Sequence, residues 1–200
     1  MTALLISNTV LWCVVLLLAV VVLGLMRQVG VLHARIAPVG ALMLAKGLKI
    51  GEQAPVLSET TLGGAVRVLG APRTDGLCTL LMFISPTCPV CKTLLPALRS
   101  SRRAEQTWLE IVLTSDGALP EQHAFVQAES LNEFPYVVSA ALGLSYQVSR
   151  LPFAALVDEA GVLRARGLVN SREHLESLFE ARRLGVASLQ DYFDKAATAV

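Results

Sequence analysis

The sequence predicts an α/β domain, a mixed sheet flanked by helices, preceded by one N-terminal transmembrane helix. Three observations carry this expectation. A long uncharged apolar run occupies the N-terminus, an unbroken apolar octet stands near the middle of the chain, and a Cys-Pro-Val-Cys sequence follows that octet at once. Beyond them, the chain alternates strand-like and helix-like segments, the pattern of a layered sheet-and-helix domain.

Two hundred residues suffice for one ordinary domain with a segment to spare. The chain is 54% hydrophobic and only 16% charged, and most of the apolar excess lies in the first residues. Net charge is +1, so no global field points to nucleic acid or to a strongly acidic partner, and we expect no nucleic-acid partner. Between Ala3 and Met26 there is no charged side chain. A helix of roughly 24 residues rises about 36 Å, enough to cross a bilayer core. A cleaved signal peptide would carry a cationic start, a shorter apolar region and a small-residue cleavage site. This segment lacks a preceding Lys or Arg and ends in Leu25-Met26-Arg27, which favours an uncleaved anchor over residues 1–27.

Residues 28–50 mix Gly30, Pro38, Gly40 and Gly47 with apolar side chains and scattered bases, the composition of a juxtamembrane connector. The folded domain is expected over residues 51–186, with 187–200 as a C-terminal tail. Gly51-Glu52-Gln53-Ala54-Pro55 reads as an extended, proline-punctuated lead-in. Residues 61–66 suggest two short strands around a glycine turn. Residues 77–84 (Leu-Cys-Thr-Leu-Leu-Met-Phe-Ile) form the apolar octet, the mark of a strand buried on both faces. A helix follows to about Ala104, then a strand over 109–114 and a helix over 121–131. Residues 154–164 look like two strands around an Asp-Glu-Ala-Gly turn. Asn170 or Ser171 caps a last helix, which carries Leu175, Leu178 and Phe179 on one face. The expected order is β-α-β-α-β-β-α.

Chemistry concentrates at Cys88 and Cys91, the expected catalytic pair. Cysteines at this spacing on the first turn of a helix can close a small disulfide ring. Cys88 would sit at the helix edge, with Pro89 at the first helical position, where a missing N–H costs nothing. Free backbone N–H groups and the helix dipole stabilise a thiolate there, below the ordinary pKa of about 8.5. Cys91, one turn further in, would be buried and act second, resolving a mixed disulfide. Three other readings compete. Zinc needs two further ligands, and Cys78, His33, His123 and His174 show no ligand spacing, so no metal is expected. A structural bridge over so short a loop gains little. A peroxide-reducing enzyme of similar build would place Thr and Pro where Ser85 and Leu81 stand. Cys78 reads as inert core or a third redox thiol. Cys13, inside the apolar run, is a small hydrophobe.

Leu151-Pro152-Phe153 precedes the strand at Ala154. Pro152 is either a strand-edge proline or a cis-proline beside the disulfide, leaving the Leu151 backbone free to bind an extended substrate chain. Pro152 and Leu151 are the expected substrate-binding residues. Arg99, Arg102 and Arg103 read as a solvated helix end, Arg182 and Arg183 as a helix C-terminus, and Trp108 as core or sheet-edge packing.

These residues resemble the thioredoxin superfamily: Cys88-Pro89-Val90-Cys91-Lys92 with Pro96 following is similar to its active-site helix, and Pro152 falls where its cis-proline stands. The lead-in at Gly51, an insert between about Asp116 and Val148, and the turn at Asp158 resemble its membrane-tethered TlpA-like branch. The anchor together with Phe83-Ile84-Ser85-Pro86-Thr87-Cys88 resembles the MauD family of methylamine utilization proteins. That resemblance implies a thioredoxin-like fold and a redox-active Cys88–Cys91 disulfide with no other cofactor. It further implies a protein client, the disulfide-rich β (small) subunit of methylamine dehydrogenase, together with a thiol electron donor or acceptor whose identity is unread. It also implies a single-pass inner-membrane protein with a periplasmic domain. The bases Arg27, Arg35, Lys46 and Lys49 all follow the span, and the positive-inside rule alone favours the cytoplasmic side. Two positions depart from the superfamily pattern. Met82 stands where a buried carboxylate is common, and Thr87 where tryptophan usually precedes the attacking cysteine. The alternatives are a general reductase for cytochrome c maturation and a non-catalytic docking scaffold. With no histidine between the cysteines, reductase or isomerase activity is favoured over oxidase.

Overall fold

The computed structural model describes residues 2, 6–8, 11–20, 22 and 48–184. It divides into two compact units, residues 1–46 and 47–200. In the first, residues 11–20 are helical (α1) with exposed side chains. Among the described residues no helix is long and apolar enough to cross a membrane. The expected anchor over 1–27 runs partly through residues outside the described set. The connector over 28–50, its last three residues apart, and the tail over 187–200 lie outside it too.

The second unit is built on a five-stranded mixed sheet whose strands lie in the order β5 (Tyr136–Val138), β4 (Leu109–Ser115), β3 (Cys78–Phe83), β6 (Phe153–Val157) and β7 (Leu163–Leu168). Its centre is β3 (Cys78–Phe83), buried at every position. It pairs in parallel with β4 (Leu109–Ser115) and antiparallel with β6 (Phe153–Val157). The apolar octet is explained by two cores, one on each face of this strand. Leu80, Met82 and Ile84 point to one side, with Cys91, Leu94, Leu95 and Leu98 of α2 (Pro89–Ala104) and Leu175 and Phe179 of α5 (Arg172–Leu184). Leu81 and Phe83 point to the other, with Leu142 of α4 (Ala140–Ser145) and Tyr146. Side chains alternate across a strand, so covering both faces requires apolar residues throughout.

The predicted turn at Asp158 links β6 to β7 (Leu163–Leu168). The Asp158 carboxylate, almost fully buried, accepts the N–H groups of Ala160 and Val162 and holds Arg164. The lead-in is pinned against this hairpin: Gly51 N–H donates to the Leu163 carbonyl at 2.8 Å and Ala54 N–H to that of Gly161 at 2.8 Å.

Several local expectations change. The first hairpin is longer than expected, β1 (Leu57–Thr60) against β2 (Val66–Leu69), with residues 61–65 as its turn. The third helix, α3 (Leu119–Ala128), starts earlier than expected because Pro120 suits its first turn, and it also ends earlier, at a C-cap on Glu129. Two elements went unforeseen: β5 (Tyr136–Val138), which extends the sheet in parallel beside β4, and α4. Arg99 and Arg102 do not form a simple solvated end. Both pair with Glu133, and Arg102 lies over the Phe134 ring. Ser171 accepts the His174 N–H, as a cap of α5 should. Trp108 packs edge-on against Phe179, 5.6 Å between ring centroids, and Arg182 covers its face.

Candidate active site

The site lies where β3 ends. Ile84 N–H still donates to Thr114 of β4, and the chain then turns through Ser85-Pro86-Thr87. The Ser85 and Thr87 hydroxyls are 3.0 Å apart, Thr87 N–H donates to Ser85 Oγ, and Cys88 N–H donates to the Ser85 carbonyl at 3.1 Å. This turn delivers Cys88 to the N-cap of α2 in an extended backbone conformation, with Pro89 starting the helix. Cys88 Sγ accepts the Cys91 N–H at 3.2 Å. A sulfur in that position faces the unpaired amides and positive end of the helix dipole, which stabilise negative charge on it.

Cys88 and Cys91 are joined as a disulfide, their Cα atoms 5.3 Å apart. Cys88 is half-buried, whereas Cys91 is fully buried among Ile84, Leu94 and Leu95. An incoming sulfur can therefore meet Cys88 and not Cys91. Lys92 is exposed on the next position, its ammonium 5.9 Å from the Phe125 ring centroid. The residue at 82, a methionine, is fully enclosed in the same core as Cys91, and its side chain offers no carboxylate.

The Leu151–Pro152 peptide bond is cis. Phe153, the next residue, pairs with Phe83, which brings Leu151 and Pro152 to the same end of the sheet as the cysteines. Pro152 is buried and its carbonyl accepts Val169 N–H. Leu151 is 37% exposed, and its N–H and carbonyl make no hydrogen bond among the described residues. An unpaired main chain at an exposed edge can add an extended strand. Cys78, by contrast, sits at the opposite end of β3, with its Sγ 3.3 Å from Glu159. Burial, and then the neighbouring carboxylate, push its thiol up to about 11. Among the described residues no group of His, Cys, Asp or Glu is placed to hold a metal ion.

One feature of the site was not foreseen. Beside Leu151 opens a cavity of about 510 Å³, walled by Phe83, Ile84, the β4–α3 turn and α4. Its only sequence signal is Ser139 preceding an apolar stretch, which does cap α4 by accepting the Leu142 N–H. The residues that enclose the cavity come from the insert between Asp116 and Val148 and from both ends of the site, so no local pattern announces it.

A five-stranded mixed sheet, a Cys-x-x-Cys pair on the first turn of the helix that follows its central strand and a cis-proline at the same end of that sheet define a thioredoxin-like fold. Solved structures agree on the fold. StoA from Bacillus subtilis superposes with a TM-score of 0.54 at 23% identity, covering 64% of this chain and 98% of that one. The thioredoxin domain of a thiol-disulfide oxidoreductase from Bacteroides vulgatus gives 0.57 at 18% identity, covering 67% and 98%. No protein-family model matches the chain. Whole-chain relatives do. The methylamine utilization protein MauD of Paracoccus versutus is 48% identical over 96% of this chain and 95% of its own length. MauD of Methylobacillus flagellatus is 45% identical over 93% and 90%, and MauD of Methylorubrum extorquens 44% over 93% and 90%. The chain belongs to the MauD family of methylamine utilization proteins.

Proposed function

We propose that this protein is a membrane-anchored thiol–disulfide oxidoreductase of methylamine utilization, acting on the disulfides of the methylamine dehydrogenase β subunit during its maturation. The observation that carries the chemistry is the asymmetry of the pair: Cys88 Sγ at the mouth of a helix N-terminus, Cys91 enclosed one turn behind it.

In the reducing direction the Cys88 thiolate attacks one sulfur of a client disulfide. That S–S bond breaks, a Cys88–client disulfide forms, and the other client sulfur leaves as a thiolate and takes up a proton. Cys91 then loses its proton and attacks Cys88 Sγ. The second client thiol is released, the Cys88–Cys91 bond closes, and two electrons have passed to the client. A thiol donor restores the dithiol. The oxidising direction is the reverse sequence. With no charged or histidine side chain between the cysteines, the thiolate has only the helix terminus to stabilise it, which favours reduction or isomerisation. Leu151 and Pro152 bind the client backbone while the sulfurs exchange.

The uncharged stretch between Ala3 and Met26 supports the anchor, and a tethered dithiol suits an exported client, hence a domain on the periplasmic side. The test is the reduction potential of the Cys88–Cys91 pair in the full chain in detergent, equilibrated against glutathione buffers. A value near about −270 mV, where thioredoxin lies, assigns reduction or isomerisation; a value near about −120 mV assigns disulfide formation. In cells, Cys88→Ser should abolish accumulation of active methylamine dehydrogenase. Normal accumulation with Cys88→Ser would leave only a docking role.

A further inference from the structure

The cavity beside Leu151 lies within α4, the β4–α3 turn and the segment leading to the cis-proline, and apolar residues make much of its wall: Phe83, Ile84, Ala140, Gly143, Val148 and Leu151. Its volume of about 510 Å³ falls in the range of about 300–1,000 Å³ that holds small ligands. Three of the four hydroxyls in its wall are already engaged, and the fourth, that of Ser149, is exposed to water. Thr114 donates to the Met82 carbonyl, Ser115 to that of Asp116, and Ser139 to the Glu59 carboxylate. They ask nothing of an occupant. The charged residues along it, Asp116 and Arg150, are exposed and can stay in water while an apolar group enters.

Gly143 marks one wall of this space. It lies inside α4 with no positive backbone angle, and a Cβ built on it meets nothing within 4 Å. Glycine within a helix is less stable than alanine by about 1 kcal/mol, so the residue here is not the one the helix prefers. A methyl here would stand in open space, and a larger side chain would extend further into it.

Leu151 joins the two features. Its unpaired main chain lies at the end of the sheet that carries the cysteines, and the residue lines the cavity. A client strand lying along Leu151 with its cystine at Cys88 sends alternate side chains to one face. We propose that this cavity is a specificity pocket that receives an apolar, preferably aromatic, side chain of the client polypeptide flanking the cysteine under attack. The proposal rests on the oxidoreductase reading for its context, and it names the substrate class: extended segments in which a cystine has an apolar neighbour.

The test uses the full chain in detergent, reduced, with Ser/Gly-rich peptides bearing one cysteine disulfide-bonded to glutathione. Phe is scanned through the positions flanking that cysteine. At one position Phe should speed exchange about ten-fold over Ser, the scale expected for burying an aromatic ring. Gly143→Leu should remove that preference and leave exchange with glutathione disulfide unchanged; Gly143→Ala should keep most of it. Absence of any positional preference, or a preference that survives Gly143→Leu, overturns the pocket. If no disulfide of any kind exchanges, the oxidoreductase reading falls. The pocket is then judged by the amide signals of Gly143 and Val148 on adding the Phe peptide with Ser in place of Cys. A shift supports it, and no shift overturns it.

Discussion

Cys78 is the thiol whose role the redox chemistry leaves open, and its surroundings make a sharp prediction. It is fully buried, and burial together with the Glu159 carboxylate raises it from an ordinary 9.0 to about 11. At pH 7 about one Cys78 in ten thousand is then ionised, against about one in a hundred for an unperturbed thiol, since each unit is a factor of ten. Only the thiolate reacts with an alkylating agent. Charge alone should slow Cys78 about 100-fold, and its enclosure slows it further. The assay is reduction of the folded protein, a timed exposure to iodoacetamide at pH 7, and peptide mapping by mass spectrometry. Cys88 should be modified early, and Cys78 should stay unmodified until the protein unfolds. The same shift has a consequence for stability. The native state holds the thiol protonated more firmly than the unfolded chain does, so its contribution is complete below about pH 9 and is lost as pH rises through about 11. Replacing Cys78 by Ala should flatten the stability profile over that window relative to wild type. Alkylation of Cys78 within ten-fold of Cys88, with the fold intact, would refute the reasoning and admit Cys78 as a third redox thiol.

Two further outcomes follow from the packing around the site. The Tyr136 hydroxyl donates to Gln122 Oε1 at 2.7 Å, and Gln122 is almost fully buried while its amide holds the Asp116 carbonyl at the cavity wall. Tyr136→Phe leaves that oxygen unpaired and should cost about 1–3 kcal/mol in a denaturation midpoint, with exchange at Cys88 retained. Gly70 and Gly64 both have positive φ, +82° and +85°, but a Cβ on Gly70 collides with the Pro55 carbonyl whereas one on Gly64 meets nothing. Gly70→Ala should therefore lower the melting temperature clearly more than Gly64→Ala, which loses only the left-handed backbone preference of about 1–2 kcal/mol.

Much of the core and the redox pair was readable from the chain. Residues 77–84 carry apolar side chains on both alternating sets, and only a strand covered on both faces needs them. Cys88 before Pro89 reads as a helix N-cap because proline lacks the N–H that an N-terminal position would leave idle. Pro152 before a strand left two readings, and the cis peptide bond settles its geometry. The Asp158 turn was legible in Asp-Glu-Ala-Gly, where glycine takes the left-handed conformation, φ +78° at Gly161.

What stayed hidden has a common physical reason. A three-residue strand such as β5 and a six-residue helix such as α4 are too short to show a period. They exist because β4 offers β5 a free edge to pair with, and because Leu142 and Tyr146 find a core beneath α4. The pairing of Arg99 and Arg102 with Glu133 joins residues 34 and 31 positions apart, beyond the reach of any helical spacing. The cavity beside Leu151 is likewise made of segments that meet only after the sheet forms. The chain by itself determined which atoms can do redox chemistry, because a Cys-x-x-Cys at a helix start is a local arrangement governed by neighbouring backbone groups. What can stand near those atoms, the enclosure of Cys91, the open main chain of Leu151 and the space beside Gly143, was decided by the tertiary structure, because burial and empty volume belong to surfaces that the sequence brings together from far apart.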